Sequence, residues 1–176
     1  MKRTIFYIAL CLIFATFGLQ LNAQNDTTGL MQNRMAIVYG SGFIPGASLR
    51  PNALFASIPK LGLVYERRIS KKFGVSLMSD VELISYTVNE READEFEREG
   101  AWSTCVLANL HVGNALVIFG GVGYEMEASK DQALARIGFQ YMFFPGSNWD
   151  ISPIGWADLK EENSAYVFGI NVGRSF

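Results

Sequence analysis

Few side chains in this 176-residue sequence could carry chemistry, and they fall into three sets. His111 is the single histidine, and Cys105 lies six positions before it. Glu66, Asp80, Glu82, Glu125, Arg136 and Gln140 are polar residues set singly inside apolar stretches, where a charge needs a partner. The segment Asn89 to Glu99 packs Glu90, Glu92, Asp94, Glu95, Glu97 and Glu99 against Arg91 and Arg98. Oxygen ligands at that density could hold a divalent cation. The segment lacks the spaced calcium-loop pattern with a central glycine, so it reads as a solvated acidic loop, with Glu92, Asp94, Glu95 and Glu97 as surface contacts.

The elements that must position these residues begin after a leader. Lys2 and Arg3 precede an almost wholly apolar run from Ile5 to Leu19, and Leu21-Asn22-Ala23 offers a small residue for cleavage before Gln24. Residues 1–23 therefore read as a secretory signal peptide. Residues 24–33 form a short polar segment and 34–176 one domain. Removing the leader takes two of the 15 basic residues and none of the 17 acidic ones, so the net charge becomes 13 − 17 = −4. No basic stripe remains for nucleic acid. Cys11 leaves with the leader, so Cys105 has no partner for an internal disulfide.

Turn signals cut the remaining chain into eight segments, 34–44, 58–69, 72–87, 101–112, 115–127, 133–143, 149–159 and 165–176. Val106 to Tyr124 is the best candidate for a membrane helix, yet Asn109, His111, Asn114 and several glycines interrupt it, and Val112-Gly113-Asn114-Ala115 reads as a turn between strands. Tight turns at Ser70-Lys71-Lys72, Gly113-Asn114 and Phe144-Pro145-Gly146-Ser147-Asn148 alternate with longer connections at 45–57 and 88–100. Connections near 128–132 and 160–164 are short. If the chain starts in the periplasm, all the tight turns fall on the periplasmic side.

Alternation settles which face is apolar. Leaving out the seventh segment, whose parity Pro153 and Gly155 obscure and where a bulge is expected, one alternate set holds 31 apolar residues among 37, with Arg67 and Arg174 as its charges. The opposite set holds 9 apolar among 30 and contains Glu66, Asp80, Glu82, Asn109, His111, Glu125, Arg136, Gln140 and Asn171. The fold class expected is all-β, an eight-stranded antiparallel up-and-down transmembrane β-barrel with a packed polar lumen. Phe43, Trp102, Tyr124 and Tyr166 would form one aromatic girdle, and Tyr65, Phe73, Tyr141, Phe143 and Phe176 the other. Inward glycines such as Gly62, Gly121, Gly138 and Gly169 would leave room for long charged side chains. A hairpin near 130 would bring Glu125 close to opposite Arg136, and Glu125, Glu82 or Asp80 should pair with that arginine. His111 would make a lumen hydrogen bond, and Cys105 would be packing.

The last segment, Ala165-Tyr-Val-Phe-Gly-Ile-Asn-Val-Gly-Arg-Ser-Phe176, resembles the closing strand of bacterial outer-membrane barrels, and Leu61 to Val75 resembles a hairpin typical of small ones. The whole domain looks like a small barrel of the OmpX or OmpA transmembrane-domain kind. That resemblance implies recognition of Tyr166, Phe168, Ile170, Val172 and Phe176 by the barrel-assembly machinery. Arg174 departs from the apolar residue usual at its position. It further implies an outer-membrane location in a gram-negative bacterium, contact with outer-membrane lipid and lipopolysaccharide, an extracellular protein partner for an exposed ribbon from Tyr86 to Thr104, and a monomer without cofactor or metal. The expected role is structural or adhesive, without catalysis. One alternative is an envelope-lipid enzyme like the eight-stranded lipid A deacylases. Those carry a serine near the histidine where this chain has Val112 and Gly113. A soluble lipocalin-like binder is the other alternative.

Overall fold

The computed structural model describes residues 33–45, 47–48, 55–89, 95–98, 100–127, 131–143, 148–161 and 164–176. The expected leader and residues 24–32 lie outside this set, as do Glu92, Asp94 and most of the turn at 144–148. The described strands are β1 (Asn33–Pro45), β2 (Ala47–Ser48), β3 (Phe55–Arg68), β4 (Phe73–Glu82), β5 (Tyr86–Asn89), β6 (Glu95–Arg98), β7 (Trp102–Val112), β8 (Leu116–Met126), β9 (Gln132–Tyr141), β10 (Trp149–Lys160) and β11 (Ala165–Ser175).

Eight of these close a barrel in the order β1-β11-β10-β9-β8-β7-β4-β3, with β3 returning to β1 and neighbours antiparallel throughout. Closure extends to the last residue, since Asn33 N–H donates to the Phe176 carbonyl at 3.0 Å and Phe176 N–H donates back at 2.8 Å. No barrel strand keeps an unpaired edge. The tight turns gather at one end, hereafter the turn end. There the Phe73 and Lys72 amides donate to Ser70 Oγ, and Gly113 takes a φ of 66°, a left-handed conformation that favours glycine.

Two expectations about strands are corrected. β10 runs against β11 in unbroken register from Trp149↔Arg174 to Asp158↔Ala165. Toward β9 it keeps one register from the Phe143↔Ile151 bridge to Lys160↔Leu134, so the seventh barrel strand carries no bulge. Pro153 has no N–H to donate, and the β9 ladder is interrupted beside it while the register is retained. The segment expected at 72–87 ends as a barrel strand at Glu82. Its continuation, β5, pairs with β6 and, on its other side, with β2 in a separate three-stranded sheet, one residue out of register with the β4–β7 ladder.

The pattern of burial is the reverse of a soluble barrel's. Ile37, Leu63, Val106, Val122, Ile137, Phe168 and Ile170 face outward and are each more than half exposed. Arg34, Arg136 and Lys60 are the three largest of the fully buried side chains. An apolar exterior around a charged interior is stable where the exterior meets hydrocarbon, because water would otherwise be ordered over the whole belt. Phe43, Trp102, Tyr124 and Tyr166 lie outward at the loop end, and Phe73, Tyr141, Phe143 and Phe176 outward at the turn end. Tyr65, partly covered, is also at the turn end.

Candidate functional site

The lumen gathers a set of buried titratable groups, and it is built strand by strand from alternating positions. Inward residues along β3 read Lys60, Gly62, Val64, Glu66; along β4, Ser76, Met78, Asp80, Glu82; along β7, Ser103, Cys105, Leu107, Asn109, His111; along β10, Asp150, Ser152, Ile154, Trp156, Asp158. Each strand runs polar, apolar, polar. The lumen is therefore layered, with an ionic group at either end and an apolar waist between.

At the loop end, Arg136 is the hub. Its Nε and Nη2 donate to Asp158 Oδ1 and Oδ2 at 2.6 and 2.8 Å, and its Nη1 donates to Asp80 Oδ1 at 2.6 Å. Its guanidinium also stacks 5.0 Å from the Trp156 ring centroid, and the Trp156 indole N–H donates to Asp158 Oδ2 at 3.3 Å. Lys60 Nζ sits 3.0 Å from Glu82 Oε1 and 3.7 Å from Asp80 Oδ2, ion pairs by distance without well-directed hydrogen bonds. Lys160 Nζ pairs with Glu125 Oε2 at 2.5 Å, and Gln132 and Ser103 also donate to Glu125. Glu125 stands opposite Gln132, and Arg136 opposite Gly121, so of the three expected partners of Arg136 it is Asp80, not Glu125, that the arginine meets.

At the turn end, Arg34 donates from Nε and Nη2 to both Asp150 oxygens at 2.8 and 2.6 Å, and from Nη2 to Asn171 Oδ1 at 3.3 Å. Asn171 passes the chain on by donating to Gln140 Oε1 at 3.0 Å. His111 Nε2 lies 2.6 Å from Glu66 Oε1, and because an ionised carboxylate can only accept, Nε2 carries the proton of that bond. Both pairs reach across an intervening strand. A Cβ on Gly173 would meet the Arg34 guanidinium, and one on Gly74 would lie 2.9 Å from Glu66 Oε1. Gly173 and Gly74 thus make room for charge, as do Gly42, whose Cβ would lie 3.1 Å from Lys60 Cε, and the expected Gly62, 3.0 Å from Asp80 Cβ. Gly138, expected to do so, instead receives the Phe119 ring.

The waist consists of Val38, Val64, Met78, Cys105, Leu107, Phe119, Ile154, Trp156 and Val167 with Ala36 and Leu134. Below it is a cavity of about 20 Å³ lined by Arg34, Glu66, Ser76, Asn109, Gln140 and waist residues. Such a space holds about one water molecule. Cys105 is fully buried in the waist, and among the described residues no group of three or more His, Cys, Asp or Glu side chains is placed to hold a metal ion.

Of the residues singled out in the sequence, Glu66, Asp80, Glu82, Glu125, Arg136 and Gln140 all face the lumen, Glu66 and Gln140 at the turn end and the others at the loop end. Tyr166, Phe168, Ile170, Val172 and Phe176 form the outward face of β11 and the residue after it. Glu95 and Glu97 lie on β6, opposite Asn89 and Thr87 of β5. The sequence reading missed Arg34, Lys60, Asp150, Asp158 and Lys160. Extending the alternating runs to the strand ends would have found the first two, a parity for the seventh segment Asp150 and Asp158, and one further residue of that segment Lys160.

No family model and no curated protein sequence matches this chain. Solved structures do resemble it. The N-terminal β-barrel domain of Pseudomonas aeruginosa OprF superposes with a TM-score of 0.55 at 12% identity, covering 82% of this chain and 98% of that one. The outer-membrane protein OprG of the same organism gives 0.55 at 15% identity, over 82% and 96% of the two chains. Ail, the attachment invasion locus protein of Yersinia pestis, gives 0.53 at 12% identity, over 82% and 98%. At such identities the likeness is one of fold: this chain has the fold of small outer-membrane β-barrels.

Proposed function

We propose that the chain is an integral outer-membrane barrel with a closed lumen, serving as a structural or surface-interaction protein without catalysis. The observation that carries this reading is the inverted distribution of charge, with Arg34, Lys60 and Arg136 fully buried inside a belt of exposed Ile, Leu, Val and Phe. The waist supports closure, since Phe119, Met78, Leu107 and Trp156 fill the bore between the ionic groups. Eight strands enclose an interior that side chains just fill.

Surface interaction is assigned to the small sheet β2-β5-β6, in which β6 is one of the two outer strands of the described three. A strand edge can accept an extended segment of a partner protein through its main-chain groups. Acidic residues on and around β6 oppose a sulfated polyanion and suit a basic partner. During biogenesis the outward face of β11 would be offered to the assembly machinery, with lipid and lipopolysaccharide as its later neighbours and the monomer as the working unit.

The test is gel mobility of the chain folded in detergent, with and without boiling, together with far-ultraviolet circular dichroism and bilayer conductance. A boiling-dependent shift, a strand-rich spectrum and electrical silence are expected. Solubility without detergent and no shift would overturn the membrane reading, and steady conductance would overturn the closed lumen.

A further inference from the structure

The exposed charge of the barrel is divided unequally between its ends. At the turn end Arg67, Lys71, Lys72 and Arg174 are exposed and Arg68 is part-exposed at the mouth. The acidic side chains described there, Glu66 and Asp150, are buried and paired with His111 and Arg34. Among the described residues no exposed Asp or Glu side chain offsets this collar. β6, which carries Glu95 and Glu97, and the residues Asp131 and Glu161 are at the opposite end.

The collar also has a defined position. Across the outer wall, Arg174 of β11, Met35 of β1 and Tyr65 of β3 share one row, and Arg67 stands opposite Asn33 in the next. Arg174 and Arg67 therefore flank β1 from strands about 10 Å apart, two strand spacings. Neither side chain is loose. Arg67 Nη1 donates to Asn33 Oδ1 at 2.8 Å, and the Arg174 guanidinium lies 5.6 Å from the centroid of Trp149. Tyr65, Phe73, Tyr141, Phe143 and Trp149 set the depth of a membrane interface at this level. Arginines held outward at that depth present planar forks to phosphate oxygens, and the turn lysines beside them add point charges.

We propose that Arg67, Arg68, Lys71, Lys72 and Arg174 form a binding collar for the phosphates of anionic phospholipid in the leaflet at the turn end. Basic residues clustered at a membrane surface select negatively charged headgroups by attraction that salt screens. The collar rests on the membrane-barrel reading, and the test separates failure of one from failure of the other.

Trp149 is a built-in reporter, because Trp156 is buried in the lumen and Trp102 is at the other end. The experiment uses the Trp102→Phe chain folded in zwitterionic micelles and measures quenching by brominated phosphatidylglycerol against brominated phosphatidylcholine. The boiling shift is checked first; its absence sinks the barrel itself. With the shift present, the glycerol lipid is expected to bind about fivefold more tightly, the factor associated with one basic residue's attraction to an anionic surface. The preference should vanish at molar salt and in Arg67→Gln/Lys71→Gln/Lys72→Gln/Arg174→Gln. Lys71→Gln/Lys72→Gln alone, confined to an exposed turn, should reduce it while leaving the boiling shift intact. Equal quenching by the two lipids, or a preference retained in the fourfold variant, would overturn the collar. Loss of the preference to inorganic phosphate but not to chloride of equal ionic strength would assign the site to free phosphate and overturn the lipid assignment.

Discussion

Arg136 on β9 and Asp80 on β4 meet across the lumen, with Nη1 of one 2.6 Å from Oδ1 of the other. β8 and β7 lie between those strands in the wall, so the bond is a chord of the barrel and not a contact between neighbours. Asp158 completes the clamp from β10. One guanidinium thus ties together three strands that the backbone ladder joins only in series.

Removing the hub should therefore cost more than removing the whole network. Arg136→Met leaves Asp158 buried without its cation and Asp80 with Lys60 Nζ at 3.7 Å, and a loss of about 3–5 kcal/mol in unfolding free energy is expected. Arg136→Met with Asp80→Asn and Asp158→Asn should recover most of that loss. Guanidinium unfolding in vesicles, followed by tryptophan emission, measures both. Equal stability of the single variant and the unmodified chain would refute a clamp.

Space at Gly173 is a second test. A methyl group there pushes the Arg34 guanidinium off Asp150, so Gly173→Ala should destabilise by about 1–3 kcal/mol. Gly120→Ala is the control, because its Cβ would lie 3.6 Å from the Arg136 carbonyl oxygen in ordinary contact. The same unfolding assay should place the control within about 0.5 kcal/mol of the unmodified chain.

His111 discriminates a structural barrel from an envelope-lipid enzyme. His111→Ala removes the donor to Glu66, which retains only Arg68 Nε at 3.9 Å, and about 1–3 kcal/mol of stability should go with it. Mass spectra of lipid A from cells carrying the variant should match those from cells carrying the unmodified chain. A change in acyl number that follows His111 would make the histidine catalytic.

Outward Ile170 tests the lipid face. It lies midway along β11, between Tyr39 and Pro153 on the neighbouring strands. Ile170→Arg places a charge at that depth, where about 2–4 kcal/mol is lost in a bilayer. The heat-modifiable fraction on refolding into vesicles should fall sharply. Native Arg174, two inward-outward repeats closer to the turn end, is tolerated because the interface is near.

Much of this was legible in local pattern. Leu61, Leu63, Tyr65 and Arg67 against Gly62, Val64 and Glu66 already state which side of β3 meets which medium. Where the reading failed, the signal was diluted. On β10, outward Pro153, Gly155 and Ala157 are small and inward Ile154 and Trp156 are apolar, so neither alternate set looked polar, and Asp150 and Asp158 went unassigned. The Glu125–Arg136 pairing failed because the hairpin's register puts Gln132 opposite Glu125, and Arg136 reaches elsewhere.

What the sequence determined by itself is the eight strands of the wall and, outside the seventh of them, the face each residue takes. Successive Cβ atoms point to opposite sides of any strand, so facing is a local property written in period two. Which of the inward charges meet, and with it Asp80 rather than Glu82 or Glu125 as a partner of Arg136, the tertiary structure decided. Closing eight tilted strands staggers them around the axis, and that stagger carries Arg136 to Asp80 and Arg34 to Asp150 across strands that never pair. It also aligns the apolar middles of β3, β4, β7 and β10 into one waist, a layer that no single strand possesses.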